Sequence, residues 1–365
     1  MWGVQVSETK EKDKSSLGIL LIGPLPPPVG GARVSFQRTI QKLEDKSGVD
    51  LRVIKTWNPD HWLGARLWRL LKVSIKALIV ARNVDVISFW ASDRGALALG
   101  PLLNVVSSIT GTHWILRKFG GGFDITYSNL SRLTRYLVVN QVFNADLVLL
   151  QTKQLVSYFS DEFPEANIDW HANSRPLPEE VSPANSGCDK FIFLGKVKRS
   201  KGILEIIEAA KDFQNESVTI DIFGPIGGDV SREMFTQVEK VNYRGVLQPE
   251  NILNELEDHD ALLLPTYYEG EGYPGAILEA YSVGRPVIAT DWRAISEIVN
   301  ENSGILVEPK NADALSSAMN RLYHNPNYYQ ELSSGALEKS GKFSLDRWTE
   351  KFLDYCREAT RKRDV

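Results

Sequence analysis

The sequence predicts an α/β protein of two domains, each built on a parallel sheet. Three observations carry this. The chain has 365 residues, 43% hydrophobic and 24% charged, enough to bury two cores of ordinary composition. Short apolar runs suited to buried strands alternate with amphipathic, helix-length segments. Several of these runs open into glycine-rich, charged loops, the place where open parallel sheets bind ligands.

The first run, Gly18–Ile22, reads as a strand, followed by the stiff turn Pro24–Gly31 and a helix from about Ala32. Gly30 and Gly31 would let backbone approach a substrate, and the helix start favours an anion. A plain strand-to-helix turn is the alternative reading. A dinucleotide Gly-x-Gly-x-x-Gly fingerprint is absent, which weakens an oxidoreductase assignment. Residues His61–Arg82 carry Arg66, Arg69, Lys72, Lys76 and Arg82 without an acid, interleaved with Trp62, Trp68, Leu71, Ile75, Leu78 and Ile79. That spacing suits a helix lying on an anionic membrane surface, or a core-packed helix with a solvated basic face.

Asp85–Trp90 is the next strand, Ala96–Thr110 a helix, and Thr112–Phe119 a strand opening into Gly120, Gly121, Gly122, Phe123 and Asp124. The glycines suggest a ligand-facing loop, with a flexible connector as the alternative. Asp124 is a candidate for orienting an acceptor, whereas His113 precedes its strand and reads as structural. Ala145–Gln151 is expected to be the last strand of this domain. A polar stretch punctuated by proline and glycine at 178–188 is expected to be the linker.

The second domain opens with the strand Lys190–Leu194. The loop after it carries Lys196, Lys198, Arg199 and Lys201 ahead of the helix Ile203–Lys211. Four cations between a strand and a helix suit a diphosphate, though a solvated basic loop is the alternative. Val218–Phe223 and Val241–Val246 are strands. Asp258-His259-Asp260 has Asp-x-Asp spacing but sits at the amino end of the strand Ala261–Pro265, so it reads as a helix terminus and no metal is expected. After Thr266–Tyr273, Pro274 is placed as the first residue of a helix and Gly284 just past its end, before the strand Val287–Thr290. A phosphate would suit the Tyr273–Ala276 backbone. Glu271 and Glu279 beside it would repel that phosphate unless they face sugar or ribose hydroxyls, which points to a nucleotide sugar. Asp346–Arg363 closes the chain as a helix.

Composition narrows the setting. Two cysteines, Cys188 and Cys356, make a disulfide framework improbable and a reducing cytoplasm expected. Leu17–Ile22 is too short for a signal-peptide core, and no stretch reaches transmembrane length. The net charge of −4 argues against nucleic-acid binding. Residues 1–180 hold 21 basic and 17 acidic side chains, a net of +4, and the remainder is net −8.

Glu271-Gly272, Glu279-Ala280 and Gly284-Arg285-Pro286-Val287-Ile288-Ala289 together resemble the donor-site signature of retaining GT-B glycosyltransferases of family 4, the glycosyl transferases group 1. The family pattern is Pro-Ser-x-x-Glu-Gly, then Glu-Ala eight residues after the first Glu, then Gly-x-Pro-Val-Ile-Ala. The resemblance covers nearly the whole chain. It implies two Rossmann-like domains with parallel sheets facing a central cleft: 1–180 on the acceptor side, 181–345 for the donor, and 346–365 a helix crossing back to the first domain. It places Gly30 and Gly31 in a substrate loop with Gly120 and Gly121. Lys196 and Lys201 would bind the leaving diphosphate, Lys196 standing where the family has arginine and so lacking its fork. Val246 would hold the base through backbone. Glu271, Gly272, Tyr273, Pro274, Gly275 and Glu279 would complete the donor site, and Glu271, Lys201 and Asp124 the catalytic set. The chain departs from the family at Phe119 or Gly120, where a histidine is common, and at Trp170–Asn173, where Pro-Asn-Gly is.

The function implied is retaining, metal-independent and cofactor-free transfer of a sugar from a nucleotide-diphosphate sugar to a glycan or lipid-linked acceptor. Its setting would be surface polysaccharide, lipopolysaccharide or glycolipid synthesis, with 61–82 on the inner face of the cell membrane. A nucleotide-sugar epimerase and a non-catalytic nucleotide-sugar binding subunit are the alternatives.

Overall fold

A computed structural model describes residues 16–27, 30–56, 63–213 and 217–361. The chain divides into two compact units, Met1–Ala172 with Leu345–Val365, and Asn173–Ser344.

The first unit holds a six-stranded parallel sheet of β1 (Leu17–Gly23), β2 (Val49–Lys55), β3 (Val86–Ala91), β4 (His113–Lys118), β5 (Leu147–Leu150) and β6 (Ile168–Trp170), in the order β2-β1-β3-β4-β5-β6. Alternate residues of one strand feed two different cores, because side chains in a strand point to opposite faces. Leu20, Ile22, Ile87 and Phe89 pack with Val73, Ala77, Leu99 and Leu103 of the helices Leu63–Ala81 and Asp93–Thr110. Ile19, Leu21, Val86 and Trp90 pack with Phe36, Ile40 and Leu43 of the helix Gly31–Glu44, and with Phe352, Leu353 and Cys356 of the helix Leu345–Arg361. A strand buried on both faces is largely apolar, which is why these strands stand out in the sequence.

β5 is not the last strand, as the sequence suggested. β6 pairs with it as an edge, Leu150 beside Trp170. Its three residues, Ile-Asp-Trp, are all half-buried and contain no apolar run to read.

The basic helix resolves into three sectors, apart from His61 and Trp62, which lie outside the described residues. Val73, Ala77 and Ala81 are buried. A second apolar stripe, Trp68, Leu71, Ile75 and Ile79, faces outward, with Trp68 57% and Ile79 63% exposed. Lys72 and Lys76 flank it, the Lys72 ammonium 5.2 Å from the Trp68 ring. The fully buried part of the core contact is thus made by Val73, Ala77 and Ala81, with Leu70, Leu78 and Val80 packed partly buried beside them. No helix among the described residues is long and apolar enough to cross a membrane.

The second unit carries β7 (Lys190–Leu194), β8 (Thr219–Phe223), β9 (Val241–Gly245), β10 (Ala261–Leu264), β11 (Val287–Thr290) and β12 (Gly304–Val307), all parallel, in the order β12-β11-β10-β7-β8-β9. Counted from β7 this is 6-5-4-1-2-3, the doubly wound order whose switch point lies between the first and fourth strands. Here those strands are β7 and β10. The sequence reading did not include β12.

The chain passes between the units at Ala172–Asn173, ahead of the 178–188 stretch read as a linker. Asp260 explains the difference: its carboxylate accepts from Asn185 Nδ2 at 2.7 Å and from the Asp189 and Lys190 amides at 2.9 and 2.8 Å, fastening that stretch to the second unit. Asp260 is thus committed to one side-chain amide and two backbone amides.

His259 beside it is buried. Its ring lies 2.7 Å from the Glu255 carbonyl on one side and 3.5 Å from Asp221 on the other. Asp221, Glu255 and His259 offer ligand atoms within 4.8 Å of one another, the group among the described residues with metal-ligand spacing. Arg244 and Asn242 already donate to Asp221, each at 3.0 Å. Burial disfavours the imidazolium, but the Asp221 and Glu255 contacts outweigh it and raise the His259 pKa. Burial likewise opposes the Asp221 carboxylate, and its hydrogen bonds to His259, Arg244 and Asn242 win, lowering its pKa.

The signs fix a window. Stability from His259 is complete below its unfolded pKa and fades as pH rises through the raised folded value. That from Asp221 is present above the unfolded carboxylate pKa and is lost as pH falls below it. Replacing His259 with Gln should therefore cost more at pH 5.5 than at pH 8.5 in urea titrations; an equal cost at both pH values would show that the fold leaves the imidazole pKa where it is in the unfolded chain.

Candidate functional site

At the switch point of the second unit, the loops after β7 and β10 are locked to each other by backbone. Gly202 has φ +80°, and a Cβ there would lie 2.2 Å from the Pro265 carbonyl oxygen. The Tyr267 amide donates to the Ser200 carbonyl at 2.9 Å. Gly195 and Gly224 meet as closely beside them, a Cβ on Gly224 falling 1.7 Å from the Gly195 oxygen. Only glycine allows this approach and these angles.

The lock sets Lys201 against Glu271. The Lys201 ammonium pairs with Glu271 Oε2, and Thr266 Oγ1 donates to the same oxygen at 2.8 Å. Lys201 also lies 5.0 Å from the Tyr268 ring centre. Glu271 is 7% exposed, and its Oε1 accepts no hydrogen bond. Two residues expected to act on one donor are thus brought together, held to each other.

Four residues on from Glu271, the helix Gly275–Ser282 begins. Pro274 is its N-cap, with ψ 130°, and not its first turn as expected; no side chain caps the helix. A bare helix start at the carboxyl end of a parallel strand is an anion site in waiting. Tyr273 cannot offer its side chain there, since it is buried with its hydroxyl on Glu297 and its carbonyl accepting from Asn173 at 3.1 Å. Gly272 is buried, and Glu279 is buried in the helix with its Oε1 2.7 Å from Arg175 Nε. Lys196 is exposed, and so is Val246, just past Gly245 with its φ of +93°.

The first unit has a switch point of its own, between β1 and β3. Gly30 is the extended N-cap of the helix Gly31–Glu44, and a Cβ on Gly31 would meet nothing within 4 Å. Gly120 has φ +86° and donates to Gln151 at 2.6 Å, and Gly121 is buried. Asp124 is not in a loop: Gly122 caps a short helix, Phe123–Ser128, and Asp124 lies half-exposed in its first turn.

Sequence reasoning missed the charges beneath this loop. Lys118, fully buried at the end of β4, pairs with Asp93, which also accepts from Thr126 at 2.6 Å. Burial lowers the Lys118 pKa, with Asp93 opposing the shift. Arg117 is buried without a carboxylate partner, its Nε 3.0 Å from His171 Nδ1, and burial brings its pKa down to about 9. The readable signal was the ending Arg117-Lys118 on an apolar strand, whose register sets Lys118 beside Ala91, two residues before Asp93.

Residues 188–325 match the family described as Glycosyl transferases group 1. The O-antigen chain mannosyltransferase C of Escherichia coli is 25% identical over 174 residues, 46% of each chain. The alpha-D-kanosaminyltransferase of Streptomyces kanamyceticus is 24% identical over 212 residues, 55% of this chain and 53% of that one. The chain spans about half the length of the curated relatives it matches. Among solved structures, sucrose-phosphate synthase from Thermosynechococcus elongatus superposes with a TM-score of 0.72 at 17% identity, over 94% of this chain and 98% of that one. Anabaena HepE in complex with UDP gives 0.73 at 15%, over 94% and 100%. These likenesses show the GT-B fold.

The Gly202 contact makes a prediction. Gly202→Ala should lower the stability of the second unit by about 2 kcal/mol, from the left-handed angle and the blocked contact with Pro265. Thermal unfolding identical to wild type would mean that the two loops are not locked.

Proposed function

We propose, from the match of residues 188–325 to the family described as Glycosyl transferases group 1, that the protein transfers a sugar, with retention of anomeric configuration, from a nucleotide-diphosphate sugar to a glycan or lipid-linked acceptor. The observation that carries this is the Lys201–Glu271 pair beside the uncapped helix start at Gly275, at the β7/β10 switch point. The HepE structure, which holds UDP on the same fold, supports the nucleotide. The E. coli relative, an O-antigen chain mannosyltransferase, supports surface polysaccharide or lipopolysaccharide synthesis as the setting.

As the bond from sugar to diphosphate lengthens, negative charge collects on the departing phosphate. Lys201, Lys196 and the helix N-terminus are cationic or positively polarised groups that would stabilise that charge. They do the work that a metal does elsewhere, and the reaction is proposed to need neither metal nor cofactor. The donor exchanges partners with the resting pair: its diphosphate takes Lys201, and its sugar hydroxyls take Glu271, whose free Oε1 is the first acceptor available. Glu279 is assigned to the ribose and Val246 to the base through backbone. In the first unit Gly30, Gly31, Gly120, Gly121 and Asp124 are assigned to the acceptor.

The outward stripe Trp68, Leu71, Ile75 and Ile79, with Arg66, Lys72 and Arg82 exposed around it, is assigned to an anionic membrane surface, where each basic residue contributes about 1 kcal/mol. A lipid-linked acceptor would be met there.

Thermal shifts against UDP-, GDP- and ADP-sugars in chelator should single out one series, by some degrees at saturation, and Lys201→Ala should remove the shift. With that donor and an acceptor extract, Glu271→Ala should reduce transfer at least about a hundredfold while remaining folded, a loss of roughly 3 kcal/mol of transition-state stabilisation. Undiminished transfer by Glu271→Ala would refute the site. Product NMR showing an inverted anomer would refute retention, and sugar interconversion without acceptor would make the protein an epimerase.

For the membrane, sedimentation with phosphatidylglycerol vesicles should fall as salt rises and fall again in a Trp68→Ser, Ile75→Ser variant. Equal partition of both proteins at low salt would remove the membrane assignment.

A further inference from the structure

We propose that Arg175 is a direct ligand of the donor's diphosphate, an inference that rests on the donor-site reading above and adds to it a residue outside every sequence motif. Arg175 is 4% exposed. Its Nε donates to Glu279 Oε1 at 2.7 Å, and its Nη1 to Asn173 Oδ1 at 3.1 Å and the Ser174 carbonyl at 2.9 Å. Its Nη2 donates to nothing and is not enclosed. That nitrogen lies against Gly275, the first residue of the uncapped helix: a Cβ on Gly275 would be 1.7 Å from it.

Two features separate this from a structural ion pair. Fixing 173–175 to the helix needs only Nε and Nη1, which already meet Glu279 and the 173–174 segment. Nη2 is left over, on a side chain otherwise withdrawn from water, and a guanidinium rarely goes unsatisfied when buried. The second feature is position. A helix N-terminus carries a partial positive charge, and a cation beside it is unfavourable unless an anion joins them. Glu279 offsets the guanidinium from the Nε side only. On the Nη2 side, its two N–H groups lie beside the uncapped first turn of the helix and, among the described residues, meet no acceptor.

The ligand that fits is a phosphate group accepting from a planar fork and from helix amides together. Lys196, standing where the resembled family has arginine, supplies charge without that fork. Arg175 restores it from a different segment. Gly275 follows from the same geometry, since any side chain there would displace the guanidinium.

The test reads the diphosphate apart from the rest of the donor. Dissociation constants are measured by calorimetry for inorganic pyrophosphate, for the nucleoside diphosphate of the series that shifts the wild type, and for its nucleoside. Arg175→Lys keeps the charge and loses the fork. It should weaken the nucleoside diphosphate and pyrophosphate about tenfold or more, and leave the nucleoside unchanged. Unchanged diphosphate affinity, or an equal loss for nucleoside and diphosphate, would make Arg175 a structural clamp and overturn the proposal. If Arg175→Lys does not fold, the Arg175→Gln, Glu279→Gln double variant removes the pair without stranding a charge and is read with pyrophosphate alone. Retained affinity there overturns the proposal as well.

The two readings fail separately. Wild-type protein that binds pyrophosphate through Arg175 but no nucleotide would keep the anion site and discard the nucleotide-sugar donor. Wild-type protein that binds nucleotide with no contribution from Arg175 would do the reverse. Binding neither would discard both.

Discussion

The ion pair between Lys201 and Glu271 joins segments seventy residues apart, and much of the second unit is arranged so that it can form. Both charges are largely withdrawn from water, a costly position unless geometry and further hydrogen bonds compensate. Thr266 supplies one such bond, and the Gly202–Pro265 contact supplies the geometry. The doubly wound sheet puts β7 and β10 side by side although β8 and β9 intervene in the chain. Without that strand order the lysine loop and the glutamate loop would not be neighbours. A resting pair of this kind also holds each partner in place, so that a donor meets both groups side by side.

Parts of this architecture could be read directly. β7 and β11 match their expected limits because a strand buried on both faces is largely an apolar run, and Gly284, at φ +68°, ends its helix as glycine does. The Glu271–Glu279 stretch was legible because its chemistry lies within one loop and one helix. What escaped is local weakness or distant partnership. β6 holds an aspartate between two half-buried residues, and β12 begins at Gly304 with its middle residues half-buried, so neither makes a run. Asp124 read as loop because three glycines precede it, yet Gly122 caps a helix. Arg175 meets a glutamate 104 residues away, and Lys118 an aspartate on another element. No period or spacing encodes such a meeting.

The helix Leu63–Ala81 shows how an amphipathic pattern misleads by being too simple. A two-sided reading assigns the large apolar residues either to the core or to a membrane. The helix instead spends its smallest apolar residues on the core, Ala77 and Ala81, and turns Trp68, Ile75 and Ile79 outward. Small residues let a helix sit close to the sheet, so the packing loses little while a second apolar stripe is freed. Leu102, Val105 and Ile109 of the neighbouring helix Asp93–Thr110 are exposed as well.

The first unit is discontinuous in sequence: its core includes Phe352, Leu353 and Cys356, from the last helix. The second unit is a single uninterrupted span, Asn173–Ser344. A chain is synthesised from its N-terminus and its domains fold as units. The part made first is therefore completed last. While the ribosome builds residues 173–344, the face of β1 and β3 bearing Ile19, Leu21 and Trp90 lacks one of the two helices that cover it, and must be kept from other apolar surfaces until residues 345–356 arrive.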